Sequence, residues 1–135
     1  MRSFIGKRMF DLADGWGDNP PFHVPVFVLT HERREPLAKD GGTTFTFVHD
    51  GIESALSQAR AAAGEKDVSL AGGAKTIQQY LNAGQIDEMQ IHIAPLLLGQ
   101  GIRLFGDLDG RHIALESTRV IESPAVTHLR YRVLR

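Results

Sequence analysis

The sequence contains no cysteine. Disulfide bonds, thiolate zinc sites and cysteine nucleophiles are therefore excluded for this chain. No apolar run approaches the roughly 20 residues that span a bilayer, and the first residues lack the long apolar core of a signal peptide. We therefore expect a cytoplasmic protein with no membrane partner.

An excess of charge of either sign is also missing, since 15 basic residues stand against 16 acidic ones. A polyanion binder would carry a basic excess, so nucleic acid is not an expected partner. The 135 residues, 42% of them hydrophobic, suit a single domain over residues 1–135. A chain of this size buries roughly two-thirds of its unfolded surface around one core.

The histidines do not show the spacing of a metal site. No two of them are four residues apart with a carboxylate beside them, as in the helical H-E-x-x-H motif, and we therefore expect no bound metal. Most should lie on the surface or in loops. The six are His23, His31, His49, His92, His112 and His128.

Hydrophobic periodicity predicts an α/β fold with three layers. We expect a mostly parallel mixed sheet flanked by helices, with an antiparallel C-terminal hairpin. Strand 67–71, helix 74–83 and strand 89–94 should form a right-handed βαβ unit with parallel strands in that one sheet. The other predicted strands are 2–5, 23–29, 43–48, 113–121 and 126–134, and the other predicted helices are 7–13 and 52–63.

The sharpest local motif is the run Val68–Thr76, in which a buried strand meets Gly72-Gly73 and then a helix. Free N–H groups and the helix dipole favour a phosphate at such a helix start, and glycine lets it approach closely. A tight strand-to-helix turn explains the two glycines equally well. The third glycine of the dinucleotide fingerprint is absent.

Two further strand ends carry polar groups. Gly6-Lys7-Arg8 follows one strand, and Thr30-His31 follows another. Ligands of open α/β sheets bind outside the carboxyl ends of the strands, so these groups could hold a second phosphate and more of a ligand. A solvated Lys-Arg pair is the simpler interpretation of the first. Trp16 and Phe22 either cap a pocket or anchor their Gly/Pro-rich loop, and we favour the anchor.

Taken together, these strand ends resemble the dihydrofolate-reductase-like superfamily. The resemblance is carried by Ile5-Gly6-Lys7-Arg8, Leu29-Thr30-His31 and Ala71–Lys75, followed by Asp87–Pro95 and Leu98–Phe105. It covers essentially the whole chain, and it is closest to the bacterial branch related to the reductase domain of riboflavin biosynthesis.

The resemblance implies an NADPH site and a cis peptide bond between Gly72 and Gly73. Arg33 or Lys75 would favour the 2′-phosphate, and Met9 stands where threonine is more usual. The implied contacts are Gly6, Lys7, Arg8 and Met9 near the phosphates, Leu29, Thr30 and His31 around the adenosine end, and Gly72, Gly73, Ala74, Lys75 and Thr76 on the pyrophosphate.

The superfamily's first strand and helix have no counterpart in this chain, so no catalytic residue is assigned. That strand normally lies between the strands predicted at 67–71 and 89–94. These two strands must therefore pair directly, recruit a strand from another copy, or leave backbone groups unsatisfied.

The expected function is an NADPH-dependent reductase acting on a small heterocyclic or carbonyl/imine substrate. Pterin-like and ribosylamino-pyrimidine-like rings are the candidates. The alternative is a noncatalytic relative that binds nucleotide or assembles into an oligomer. We expect a homodimer, from the family's habit and from exposed sheet edges.

Overall fold

The computed structural model describes the backbone of residues 2–135 and the side chains of residues 9–135. The chain divides into two compact units, one up to residue 79 and one from residue 80 onward. Its strands are β1 (Arg2–Gly6), β2 (Pro25–Leu29), β3 (Leu37–Ala38), β4 (Thr44–Val48), β5 (Val68–Gly72), β6 (Glu88–Ile93), β7 (Leu115–Glu122) and β8 (Thr127–Val133), and its α-helices are α1 (Lys7–Leu12), α2 (Ile52–Ala63) and α3 (Ala74–Asn82).

The first unit contains a five-stranded mixed sheet in the order β3-β4-β2-β1-β5. Strands β4, β2, β1 and β5 are parallel, whereas β3 runs antiparallel to β4. Pro25 begins the inner strand β2, where its missing N–H is tolerated. The predicted mostly parallel mixed sheet is confirmed.

One face of this sheet packs against α1 through an aromatic core. Phe10 of α1 forms one buried cluster with Val26 and Val28 of β2 and with Phe45 and Phe47 of β4. The two strands are in register, with Val26 beside Phe45 and Val28 beside Phe47, so these side chains share one face. Alternation along the strands therefore builds the core.

The loop before β2 closes the same core. Trp16 and Phe22 pack on it, with the Trp16 ring stacked on that of Phe45 at a centroid distance of 6.1 Å. The Thr43 hydroxyl donates a hydrogen bond to the Phe22 carbonyl oxygen. These contacts support the anchoring role that was favoured for the two aromatic residues.

The opposite face packs against α2. Phe27 and Val48 alternate with the core residues and are buried, and α2 contacts both β1 and β2. Small side chains on α2, Ala55 and Ala59, are fully buried and let the helix approach closely. Helices therefore flank the sheet on both faces, and the predicted fold class is confirmed.

The second unit contains a three-stranded antiparallel sheet in the order β6-β8-β7. The hairpin of β7 and β8 was predicted, and a register shift lies between Ser117 and Arg119. One face is polar, where Arg130 pairs with Glu88 at 2.5 Å and Arg132 with Glu116 at 3.1 Å.

The prediction that a single sheet holds all the strands is wrong. Strands β5 and β6 lie in different sheets, so they do not form the parallel pair of the predicted βαβ unit. Over residues 2–135, β5 pairs only with β1 and β6 only with β8.

No helix in the described part of the chain combines the length and apolar content needed to cross a bilayer.

Burial of the Tyr80 ring predicts a loss of stability at alkaline pH. Its side chain is 1% exposed, and burial raises its pKa from 10.0 to about 12. The unfolded chain releases this proton at a lower pH than the folded one. The stability that the buried neutral ring contributes is therefore complete below pH 10 and is lost as pH rises from 10 towards 12, amounting to at most about 3 kcal/mol.

The measurement is urea unfolding of the wild type and of Tyr80→Phe from about pH 8 to pH 11. Tyr80→Phe should lose less stability over this range, whatever its stability at pH 8. Parallel losses in the two proteins would show that Tyr80 does not contribute.

Candidate functional site

The carboxyl ends of four parallel strands meet at one edge of the five-stranded sheet. In the register, Gly6 lies beside Leu29, Leu29 beside Val48, and Ile5 beside Gly72. The three segments singled out in the sequence are therefore adjacent along this edge. Their adjacency fits the rule that open α/β sheets bind ligands at such ends.

The glycine turn between β5 and α3 is the most distinctive part of the edge. The Gly72–Gly73 peptide bond is cis, as the resemblance implied, and Gly72 has φ of +140°. The first α3 hydrogen bond runs from the Ile77 N–H to the Gly73 carbonyl, 3.0 Å. The N–H groups of Ala74, Lys75 and Thr76 therefore belong to the helix's first turn, where no intrahelical acceptor exists.

The space at the two glycines differs. A Cβ on Gly72 would lie 3.4 Å from the Met9 sulfur, whereas one on Gly73 would meet nothing within 4 Å. Met9 therefore packs behind the turn, and Gly73 faces open space. Because an anion can reach the backbone only where side chains leave room, Gly73 is the point of the turn at which an anion could approach.

Thr30 is held in place at the end of β2. Its N–H donates to the Val48 carbonyl at 3.0 Å, and its hydroxyl oxygen accepts from the Glu32 N–H at 3.1 Å. The residue is 8% exposed, while His31 beside it is exposed. The hydroxyl hydrogen remains available to donate to an acceptor at the edge.

The two arginines after β2 differ in their surroundings. The Arg34 guanidinium lies over the Phe47 ring at 4.3 Å and over the Phe10 ring at 5.6 Å. Cation–π contact with core rings holds that side chain on the aromatic cluster. Arg33 and Lys75, the two candidates for a 2′-phosphate, are both exposed.

For Gly6, Lys7 and Arg8 the structure describes only the backbone. Gly6 ends β1, and the two cations begin α1 at the same edge as Thr30 and Gly72. The phosphate contacts expected of their side chains lie outside the described residues.

Sequence reasoning missed two features of the first unit. The end of β4 brings His49 and Asp50 to the same edge, just before Gly51, which has φ of +103° and precedes α2. The pattern of a strand, a glycine and a helix in this segment is the sequence signal that could have identified it as part of the site. A cleft of about 270 Å³ beside α1 is lined by Phe10, Asp11, Asp14, Gly15, Arg34, Leu37 and Lys39, and no local motif indicated it.

Comparison with known proteins gives a family match over most of the chain. The RibD C-terminal domain family matches residues 11–129. The uncharacterized protein YyaP of Bacillus subtilis (strain 168) is 28% identical over 132 residues, which cover 90% of this chain and 68% of that protein.

Solved structures agree with that match. A putative riboflavin biosynthesis protein from Shewanella sp. PV-4 is 26% identical with a TM-score of 0.78, over 99% of this chain and 74% of that one. Dihydrofolate reductase from Enterococcus faecalis, solved with NADP(H), is 16% identical with a TM-score of 0.65, over 98% of this chain and 73% of that one. The second likeness establishes the dihydrofolate-reductase-like fold alone.

Proposed function

Because the chain belongs to the RibD C-terminal domain family, we propose that it is an NADPH-dependent reductase. Its substrate would be a small heterocycle of ribosylamino-pyrimidine or pterin type. The family and its reductase neighbours support a reductase-like role. The observation that carries it is the turn at Gly73, where a Cβ would meet nothing within 4 Å, so a diphosphate would have room beside the start of α3.

The residues at the edge fit the cofactor. In the proposed site, amides at the start of α3 hold the diphosphate, and the helix dipole favours its charge. Thr30 and His31 lie at the neighbouring strand end, where the adenosine half would bind. NADPH would supply the hydride when bound. The protein's task is to fix the position of the cofactor and exclude water around it.

The test is a titration of the purified protein with NADPH, followed by cofactor fluorescence, with NADH as the comparison. We expect saturable binding and weaker binding of NADH, which lacks the 2′-phosphate. Absence of a saturable change up to about 1 mM NADPH, the upper end of ordinary KM values, would contradict the proposal.

Charge variants locate the 2′-phosphate. Either Lys75→Met or Arg33→Met should reduce the preference for NADPH over NADH, because NADPH carries the negatively charged 2′-phosphate and NADH does not. Lys66→Met is the matched control, since Lys66 is exposed and lies in the turn after α2. An unchanged preference in both variants would remove these two cations from the site.

A nucleotide-binding module without turnover is the second candidate. It is favoured by the position of β5 at the end of the five-stranded sheet. Over residues 2–135 only β1 pairs with β5, and the other side of this strand, which leads into the glycine turn, has no neighbouring strand. It differs from the reductase in one readout. NADPH would bind without being oxidised when a pyrimidine or pterin acceptor is supplied, whereas the reductase would consume it.

The homodimer, the cytoplasmic location and the single-domain organisation remain predictions. Exposed apolar side chains support self-association, because patches of this kind mark protein–protein contacts. In the connection between β6 and β7, Leu96 is 68% exposed, Leu97 99% and Leu98 75%. Sedimentation in solution measures the oligomeric state.

A further inference from the structure

Two histidines face each other across the three-stranded sheet. His92 on β6 is the direct register partner of His128 on β8. Their Nδ1 atoms are 2.7 Å apart, and the ring planes cross at 75° with centroids 4.9 Å apart. His92 is exposed and His128 half-buried, so solvent reaches the pair. We propose that this pair chelates a divalent transition-metal ion, with Cu²⁺ bound most tightly, ahead of Ni²⁺ and Zn²⁺.

The chemistry of imidazole allows the change from hydrogen bond to chelate without loss of a proton. In the metal-free pair, one Nδ1 carries hydrogen and donates it to the lone pair of the other Nδ1. Moving that hydrogen to Nε2 of its own neutral ring frees the second lone pair. Both Nδ1 atoms then point into the same space as metal ligands.

The separation of the two nitrogens suits a square-planar ion better than a tetrahedral one. Metal–nitrogen bonds of about 2.0–2.1 Å place adjacent square-planar ligands about 2.9 Å apart and tetrahedral ligands about 3.4 Å apart. From 2.7 Å, the first distance needs the smaller movement. Imidazole ligands and tetragonal geometry together favour Cu²⁺ and Ni²⁺, and Cu²⁺ leads in intrinsic affinity.

The neighbouring charges on this face do not exclude a cation. Arg130, two residues from His128 on β8, is paired with the Glu88 carboxylate at 2.5 Å. Arg119 lies opposite Arg130 on β7, one row away from the histidines, and the β7 residue in the histidine row is the uncharged Ile121. Two protein ligands and water complete the site.

The expected absence of a metal considered only the spacing of histidines along the chain. His92 and His128 are 36 residues apart in sequence, and only strand pairing brings them together. The described residues contain no group of three or more histidine, cysteine and carboxylate ligands that could hold a metal. The site therefore has two protein ligands and should bind reversibly rather than permanently.

The test is calorimetric titration of the full chain, without a polyhistidine tag, with CuCl₂, NiCl₂ and ZnCl₂ separately. We expect one ion per chain, with affinity in the order Cu²⁺, then Ni²⁺ and Zn²⁺. His92→Gln and His128→Gln should each weaken binding by at least about tenfold. His112→Gln is the matched control, because His112 is exposed and lies before β7, outside the paired strands.

A gain-of-binding variant tests the same geometry in the opposite direction. Ile121 is the β7 partner of His128, so Ile121→His places a third imidazole in the row. Binding of all three ions should tighten by at least about tenfold, because a third ligand completes more of the coordination sphere.

A measurement on the wild type alone tests the proposal even if the variants fail to fold. Substoichiometric Cu²⁺ should broaden the amide NMR signals of residues next to His92 and His128 before any others. Broadening centred elsewhere, no saturable binding, or equal affinity in wild type and His92→Gln would each overturn the proposal. All of these readouts are independent of NADPH binding.

Discussion

Gly73→Ala is expected to weaken NADPH binding by about ten- to a hundredfold while leaving the fold intact. A methyl group there would project into the open space beside the first turn of α3 and hold a phosphate away from the amides. Losing hydrogen bonds to a charged group costs about 1.5–3 kcal/mol, which corresponds to this range of affinity. Fluorescence titration with NADPH measures the change.

Stability separates this effect from simple misfolding. Gly73 has no positive φ and its added Cβ meets nothing within 4 Å, so thermal unfolding should change by less than about 1 kcal/mol. Gly72→Ala is the contrasting variant, because φ of +140° disfavours any side chain and should cost about 1–3 kcal/mol. Wild-type affinity in a folded Gly73→Ala protein would show that no phosphate binds at this turn.

Phe45→Ala is expected to destabilise the protein by about 3–5 kcal/mol, a large share of the typical total. The Phe45 ring is fully buried, with its centroid 5.0 Å from that of Phe10 and 6.1 Å from that of Trp16. Truncation leaves a cavity at the centre of the cluster and removes its aromatic contacts. Urea unfolding, followed by circular dichroism and by the single tryptophan, measures the loss.

Two variants calibrate that measurement. Phe45→Leu keeps most of the volume and should cost less than Phe45→Ala. Leu12→Ala removes an apolar side chain that is 79% exposed and should change stability by less than about 0.5 kcal/mol. A loss below about 1 kcal/mol in Phe45→Ala would mean that the aromatic cluster does not hold the first unit together.

Local patterns predicted most of the elements because their causes are local. The alternation of Phe45 and Phe47 with threonines predicted β4, and the helical spacing between Gly51 and Gly64 predicted α2, which the structure places at Ile52–Ala63. The strand β3 was missed. A strand of two residues is too short to show a hydrophobic periodicity, and β3 forms because Leu37 pairs with Phe45.

The candidate site was predictable in its parts and not in its arrangement. The polar groups that follow each strand are visible in the sequence, and parallel strands necessarily end at one edge. The position of Met9 behind Gly72 and the place of Arg34 over Phe47 depend on packing between distant segments. Residues that contact each other only in the folded state leave no local signal.

The sequence by itself determined the α/β class, most of the strands and helices, the C-terminal hairpin and the glycine turn at the start of α3. These follow from side-chain periodicity and from the conformational freedom of Gly72, which act over a few residues. The tertiary structure decided the division into two sheets and the meeting of His92 with His128. Strand pairing decides both, because its hydrogen bonds join backbone groups that are far apart along the chain.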